Sequence, residues 1–504
     1  MTAIAEAIFL VPPFPGAHPA KIVRPSAGML EHGATAAALV AAMREHKVGG
    51  AFWGDDDVWS RDGGPFSGAG DDPRLLLAAI AGIPLKSESE GLFAPLALDA
   101  PGSSVIESRL EALVEEHLLR AATFANPFTG EPISALALVE ILGGWRQLIL
   151  ANKPVVAAFG FAHWKRDTVD PLLWGGHPVA FLPAKSSALT ALPAGASIAV
   201  WKARVPAAFL AEVEAGPWRL LEVEDGFIRS AGLGADCVPP LSIVVDDLGV
   251  HYDRSRPNRL EEMLASGIIP PADLDRARRL QDWIVSSGIT KYGISSGKTL
   301  AREGGDRRHL LVIGQVEDDR SVLYGSADVR SNLELLRRVR ASNPDAWIIY
   351  RPHPDVEAGH RRGAIPEAVC RTLANSIKAA EPISALIASA DEVHVMTSLA
   401  GFEALMHGKR VTTHGTPFFA GWGLTQDLAQ VPDRRGRALS LDALIAAVLL
   451  RYPRYLDPVT NLPCTAEILI MRLLSGVQRQ NAALVPLRRS IGWVRRSIAQ
   501  LVGS

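Results

Sequence analysis

From about Pro154 onward the chain alternates short β-rich runs with helical runs, and this alternation restricts the fold more than any other feature of the sequence. Strands are predicted at Ser197–Trp201, Arg219–Val223, Leu310–Ile313, Trp347–Tyr350, Glu392–Met396 and Arg410–Thr413. Helices are predicted between them, around Ser331–Ser342, Pro382–Ser389, Leu399–His407 and Leu441–Arg451. Strand, helix, strand at this spacing reads as parallel α/β layers. Ser440 suits the N-cap of the last helix, with Asp442 in its first turn where the helix dipole favours an acid. Asp273–Ser286 is charged on one side and apolar on the other, which predicts a surface helix ending one α/β unit. The next unit begins near Arg307.

At 504 residues the chain is too long for one core. The expected division is an N-terminal domain at 1–150, α/β domains at 151–300 and 301–480, and a tail at 481–504. A weak internal repeat crosses this division. Asn126-Pro-Phe-Thr-Gly-Glu-Pro132 resembles Asp457-Pro-Val-Thr-Asn-Leu-Pro463, and each precedes a helical run. Ala51-Phe-Trp-Gly and Ala158-Phe-Gly-Phe make a poorer pair. Common turn words explain such matches by chance, whereas true duplication makes residues 1–150 a shortened copy of the module in 151–480.

The net charge of −2 gives no global basic field for nucleic acid, so an anionic substrate needs a local cluster. Cys237, Cys370 and Cys464 are too few and too scattered for a disulfide framework or a zinc site, as befits a reducing compartment. No basic segment precedes the apolar run Ile8–Val11, and no apolar stretch is long enough to span a bilayer. The expectation is therefore a cytoplasmic or peripheral protein. The tail carries Arg488, Arg489, Arg495 and Arg496 among Leu487, Ile491, Trp493, Val494 and Leu501. It reads either as a basic amphipathic helix at a membrane interface or as a packed helix with a basic face.

Four clusters carry the chemistry. The first is Glu224-Asp225-Gly226-Phe227-Ile228-Arg229-Ser230 with Gly232 and Gly234, placed at a strand's C-terminal end, where α/β folds bind ligands. One carboxylate can face the cleft as a general base while the other pairs with Arg229. A turn with an aspartate N-cap is the plainer account. The second is Gly314-Gln315-Val316-Glu317-Asp318-Asp319-Arg320-Ser321, after Leu310–Ile313. Three consecutive acids there either bind a hydroxyl-rich sugar, attack an anomeric carbon or simply face water. Their contiguity does not match a calcium loop.

In the third cluster, Pro352 and Pro354 flank His353 and hold it in extended backbone, with Arg351 two residues back on the same side. A rigid His beside an Arg suits a phosphate or carboxylate. The fourth is Met396–Leu405. Thr397, Ser398 and helix N-terminal N–H groups suit an anion, Gly401 permits close approach, and Glu403 on the next turn suits a ribose. A capped helix with a solvated Glu403 is the alternative. Gly421 and Gly423 flank Trp422 in a turn that is either specific to the site or mere core packing.

Taken in order, EDGFIRSAGLG, PPLSIVVDDLGVHYD, GQVEDD, RPHPD, TSLAGFEALMHGKRVTTHG and PFFAGWGLTQD resemble the KpsC-type capsule polysaccharide Kdo transferases, the KpsC/LpsZ family, over roughly residues 155–480. The resemblance implies a GT-B-like α/β fold with two facing Rossmann-like domains, here with an extra N-terminal α/β domain. It implies retaining transfer of Kdo from CMP-Kdo to a lipid-linked saccharide, forming β-Kdo linkages. No cofactor or catalytic metal is implied. The acceptor lies at the cytoplasmic face of the inner membrane, near the capsule export machinery. Alternatives are another CMP-activated acidic sugar, or a non-catalytic assembly or export factor.

Carried over residue by residue, the resemblance makes one of Glu224 and Asp225 the acid or base. It makes Asp319 the nucleophile, with Asp318 and Glu317 as rivals in the Gln315–Asp319 segment. His353 with Pro354, beside Arg351, contacts the CMP phosphate. Thr397 and Ser398 hold the same phosphate, and Glu403 the ribose. The family's two complete modules are not both present. Residues 1–150 lack the RPHP and GWGLT elements, and Ser87–Phe93 is only a faint echo of EDGF.

Overall fold

The computed structural model describes residues 2–26, 34–61, 63–98, 102–229, 238–290, 293–294, 300–359 and 361–476. Ser230, Gly232 and Gly234 of the first cluster, Cys237 and the basic tail lie outside these residues. The chain divides into two compact units. One comprises Met1–Val156, Asp167–Ala180 and Leu456–Pro463; the other comprises Ala157–Arg166, Phe181–Tyr455 and Cys464–Ser504.

The first unit is mainly helical. Its helices include Ala3–Ile8, Ala36–His46, Pro73–Ile80, Ser104–Val114 and Ala135–Asn152. Its strands are β1 (Val23–Pro25), β2 (Phe66–Gly68), β3 (Leu85–Ser87), β4 (Ala122–Ala125) and β5 (Pro132–Ile133). β1, β4 and β5 form an antiparallel sheet, while β2 and β3 pair in parallel. Parallel pairing needs a crossover, and the helix Pro73–Ile80, capped by Asp72, supplies it. Leu39, Met43, Leu75, Leu110 and Leu138 are fully buried in its core.

In the second unit and at its borders lie the remaining strands. The first group is β6 (Val155–Phe159), β7 (Ala180–Leu182), β8 (Ser197–Val200), β9 (Arg219–Asp225) and β10 (Ser242–Asp246). A short hairpin of β11 (Ile289–Thr290) and β12 (Gly293–Ile294) follows. Then come β13 (His309–Ile313), β14 (Trp347–Arg351), β15 (Ser376–Ile377), β16 (Glu392–Val395), β17 (Arg410–Thr413) and β18 (Gln426–Asp427). β19 (Pro453–Leu456) and β20 (Pro463–Cys464) close the series.

The six strands β13–β18 form one sheet in the order β15-β14-β13-β16-β17-β18, parallel throughout. Relabelled from its own first strand, this is 3-2-1-4-5-6, the doubly wound dinucleotide-binding order. Leu310, Val312, Leu335, Leu336, Val339, Ile348 and Met396 fill one face of it. The helix Asn332–Ser342 covers that face with its apolar stripe, and Ser331 caps it through the Glu334 N–H at 3.2 Å.

The other sheet runs β20-β19-β10-β9-β8-β6-β7 and departs from the expected Rossmann-like pattern. β8 and β9 are parallel, but β10 is antiparallel to both β9 and β19. The reason is local. Gly226 N–H donates to Ser242 O and Leu241 N–H to Arg229 O, so the chain leaving β9 folds back on itself. Antiparallel neighbours can be joined by such a return, without a covering helix. β19 rejoins this sheet only after the whole β13–β18 sheet has been made. Residues 151–300 are therefore completed by the far end of the chain; the β13–β18 sheet falls within the second unit, as do β8, β9 and β10 of the other sheet.

The repeat seen in the sequence has a structural counterpart. A π-helical turn, Glu115–Arg120, leads into β4, an Asn126 turn, β5 and a helix capped by Ser134. Ala446–Arg451 leads likewise into β19, an Asp457 turn, β20 and the helix Ala466–Leu474. The offset between counterparts is the same at every element. Asn126 Oδ1 accepts the Phe128 N–H (2.9 Å) as Asp457 Oδ1 accepts that of Val459 (3.1 Å). The matching left-handed position is Gly130 (φ +74°) in one and Asn461 (φ +56°) in the other, the two residue types that tolerate it best.

Candidate active site

In a doubly wound sheet, ligands bind beyond the strand ends where the strand order reverses. Here that point lies between β13 and β16, which lead into Gln315 and Thr397. The two residues clamp each other. Gln315 Nε2 donates to Thr397 Oγ1 at 3.0 Å, and Thr397 N–H donates to Gln315 Oε1 at 2.8 Å. Asn332 locks Gln315 from behind, accepting its N–H at 2.8 Å and donating to its carbonyl at 2.7 Å. Both Gln315 and Thr397 are buried. The expected free N–H at Thr397 is thus engaged inside the protein. Ser398 is half-buried, and its Oγ accepts the Ala400 N–H at 3.3 Å, just ahead of the helix Ala400–Met406, whose N-cap residue is Leu399.

Gly401 does permit a close approach, but by a side chain: a Cβ there would stand 2.6 Å from the Phe419 ring. Glu403, one turn on, lines a small cavity with Phe227, Ile228, Thr290, Leu399 and Phe402. Trp422 is completely buried and donates its indole N–H to Phe418 O at 2.9 Å, so the glycine-flanked turn is a packing device. Asp427 ties that turn together through the Gly421 N–H and the Thr413 and Thr425 hydroxyls.

The three acids after β13 have separate fates. Glu317 Oε1 accepts the Asn332 N–H at 2.8 Å. Asp318 is exposed and paired with Arg361 at 3.0 Å. Asp319 caps the helix Arg320–Gly325, its Oδ1 accepting the N–H and hydroxyl of Ser321 at 2.9 and 2.6 Å. Its Oδ2 has no hydrogen-bond partner among the described residues. Gly325, at the end of that helix, has its Cβ position 2.9 Å from Thr397 Cγ2 and 3.5 Å from the Tyr252 carbonyl, so even a methyl group would part these segments.

β14 delivers Arg351 and His353. Arg351 donates to Lys378 O at 3.2 Å, and burial pulls its basicity down. His353 is the N-cap of the helix Pro354–Glu357, with Nδ1 accepting the Asp355 N–H at 3.1 Å. Burial lowers its pKa, partly opposed by Asp355 and Asp319. With Nδ1 an acceptor in a neutral ring, the proton sits on Nε2. Pro354 is exposed at the first helical position, where its missing N–H costs nothing.

Glu224 and Asp225 are the last residues of β9 and belong to the strand itself, paired with Val244 and Ile243 of β10. They point to opposite faces, as neighbours on a strand must. Asp225 is held by Lys165 at 3.3 Å and Arg229 at 2.9 Å. Glu224 accepts from the Tyr252 hydroxyl at 3.4 Å. Burial pushes the Tyr252 phenol up, and the Glu224 charge pushes it further. Asp319 acts on both Tyr252 and His353, so the acids of the two sheets share one electrostatic neighbourhood.

Sequence reasoning missed Lys165, Tyr252 and Arg320. Lys165 is buried with Nζ 3.2 Å from the Trp201 ring centre, and burial takes its pKa down to about 8. No local pattern marks it, because its partners lie far along the chain. Tyr252 sits inside the DDLGVHYD motif, and Arg320 directly follows the three acids; both were within reach.

Residues 198–455 match the model of a family described as capsule polysaccharide biosynthesis protein. The chain is 40% identical over 375 residues to the capsule polysaccharide modification protein LipA of Neisseria meningitidis serogroup B, covering 73% of this chain and 52% of LipA. It thus spans about half the length of that relative. It is 38% identical over 358 residues to the lipopolysaccharide-processing protein LpsZ of Rhizobium meliloti, covering 66% of this chain and 77% of LpsZ. Two solved structures of Thermosulfurimonas dismutans KpsC are similar. The one described as a beta Kdo 2,7 transferase is 32% identical, covers 64% of this chain and 99% of its own, and has a TM-score of 0.51. The one described as a beta Kdo 2,4 transferase is 30% identical, covers 63% and 98%, and has a TM-score of 0.54. With half of its length matched by the family model, and with LpsZ and the two KpsC structures matched over most of theirs, the chain belongs to the capsule polysaccharide biosynthesis protein family, among whose members KpsC-type Kdo transferases are its structural relatives.

Proposed function

We propose that the protein transfers Kdo from CMP-Kdo to a lipid-linked capsule saccharide, forming a β-Kdo linkage, within a GT-B-like arrangement of its two sheets. The observation that carries this reading is the juxtaposition at the switch point. The Gln315–Thr397 clamp, the His353 imidazole and Asp319 gather beyond the ends of β13, β14 and β16, and Glu224 reaches the same neighbourhood through Tyr252.

CMP leaves as a phosphate monoester, so the transition state places charge on the phosphate and an oxocarbenium-like centre on the ketal carbon. His353 Nε2–H and the Ser398 hydroxyl are the donors for the phosphate, with Thr397 holding the loop between them. Arg351 adds positive charge, and Glu403 takes the ribose. Glu224 serves as the acid or base, because Asp225 is already bound by two cations. Asp319 is the nucleophile of a retaining double displacement, since Glu317 and Asp318 are committed elsewhere and its own Oδ2 is open. The recurrence around Asn126 and Asp457 supports a duplication in which residues 1–150 carry a second copy of the module's closing segment. The partners are then the CMP-sugar donor, the lipid-linked acceptor and the inner face of the inner membrane.

The test is transfer from CMP-Kdo, generated in situ, to a synthetic lipid-like Kdo acceptor, read by mass spectrometry. A gain of one Kdo is expected. Gain only with a CMP-sialic acid moves the donor, and gain with neither favours a non-catalytic assembly factor. A trapped Kdo–Asp319 adduct supports retention; transfer with inverted configuration and no adduct overturns the nucleophile assignment.

A further inference from the structure

Arg320 differs from the cations beside it in what it binds. Nearby Lys202 and Arg256 both bind the buried Glu222 carboxylate, and Arg256 also meets Asp253 at 3.6 Å. Arg320 has no ion-pair partner among the described residues. It directly follows Asp319, is half-buried, and donates from Nη2 to the Lys202 carbonyl at 3.2 Å. Its guanidinium carbon lies 5.9 Å from the centre of the Tyr324 ring and acts on the Tyr252 hydroxyl, which in turn donates to Glu224. One N–H group bonding a carbonyl and one turned to the Tyr252 hydroxyl leave the remaining guanidinium donors for something else.

Tyr324 is the second element. It is 46% exposed on the same helix, beside Leu323 at 47%, and its ring stands 6.5 Å from that of Tyr252. An exposed aromatic ring next to an unpaired guanidinium, both one turn from a carboxylate proposed to react, matches a sugar that carries its own carboxylate. The ring face stacks on the sugar's C–H groups, and the guanidinium takes the carboxylate as a fork.

We propose that Arg320 and Tyr324 form a subsite for the carboxylate and ring of an acidic sugar, a role that rests on the transfer reaction proposed above. Such a group is present on the donor sugar and on an acceptor ending in the same sugar, and the two sources are separable by experiment. A lost charged hydrogen bond corresponds to a roughly ten- to hundredfold change in binding.

Initial rates are measured with wild-type protein, Arg320→Gln, Arg320→Lys and Tyr324→Ala, with donor and acceptor varied in turn. Arg320→Gln should raise the KM of whichever substrate supplies the carboxylate by that factor. Arg320→Lys should recover part of it, and CMP affinity by calorimetry should not change. An acceptor whose terminal carboxylate is a methyl ester distinguishes the sources without a variant. If the wild type discriminates against the ester and Arg320→Gln does not, the acceptor is the source; a raised donor KM with ester discrimination intact assigns the donor. Both KM values within twofold of wild type in Arg320→Gln overturn the proposal. If the wild type transfers no Kdo at all, the functional reading has failed, and the subsite is tested by saturation-transfer NMR with free Kdo. Signal lost in Arg320→Gln supports the subsite; equal signal in both proteins overturns it.

Discussion

Replacing Gln315 by leucine separates the clamp at the switch point from everything around it. Leucine approximates the volume of the glutamine but can neither accept from the Thr397 N–H nor donate to its Oγ1. Both Thr397 groups are then left in a buried position. An orphaned buried group costs ~1–3 kcal/mol, so two give ~2–6 kcal/mol, with partial relaxation favouring the lower half of that range. With a urea slope of about 3 kcal/mol/M, the unfolding midpoint of the second unit should fall by roughly 1 M. The assay is urea unfolding of Gln315→Leu, Thr397→Val and the double variant. Thr397→Val removes one of the two orphans, so the double variant should be less destabilised than the sum of the singles. Costs that add to within about 0.5 kcal/mol, or a midpoint unchanged in Gln315→Leu, would refute the clamp. The same variant should weaken CMP binding, because the clamp sets the Thr397–Ser398 loop.

His353→Ala should lower CMP affinity about tenfold or more by calorimetry; an unchanged affinity removes the phosphate role. Asp319→Asn keeps an N-cap side chain for the helix Arg320–Gly325, so it should abolish transfer while unfolding at nearly the wild-type urea concentration. Full activity in that variant sinks the nucleophile assignment. His394 of β16 and His414, directly after β17, meet at 3.2 Å, and burial takes each down to about 4 from 6.5. Because the unfolded chain binds these protons more readily, their contribution is fully present above about pH 6.5 and is lost as pH falls toward 4. Urea midpoints at pH 7 and pH 5 should differ, and His414→Asn should shrink the difference. An equal slope in that variant contradicts the assignment.

The parallel β13–β18 sheet was legible because its cues are local: buried runs of four or five residues, caps such as Ser331 and Ser440, and crossovers of helical period. His353 was legible for the same reason, since two flanking prolines fix its backbone whatever surrounds it. The shared turn geometry of Asn126 and Asp457 was also written locally, in side chains that bond their own backbone. The antiparallel turn of β10 was not. A strand of Ile and Val pairs equally well in either direction, and the choice depends on the return through Gly226 to Arg229. Nor does spacing along the chain reveal that Lys165 reaches Asp225, or that Gln315 closes on Thr397 across 82 positions. By itself the sequence determined the main strands and helices of the β13–β18 sheet, and which polar clusters stand at their ends. Only the tertiary structure decided which members of those clusters bind one another and which face outward, because side-chain pairing depends on distances that chain order does not encode.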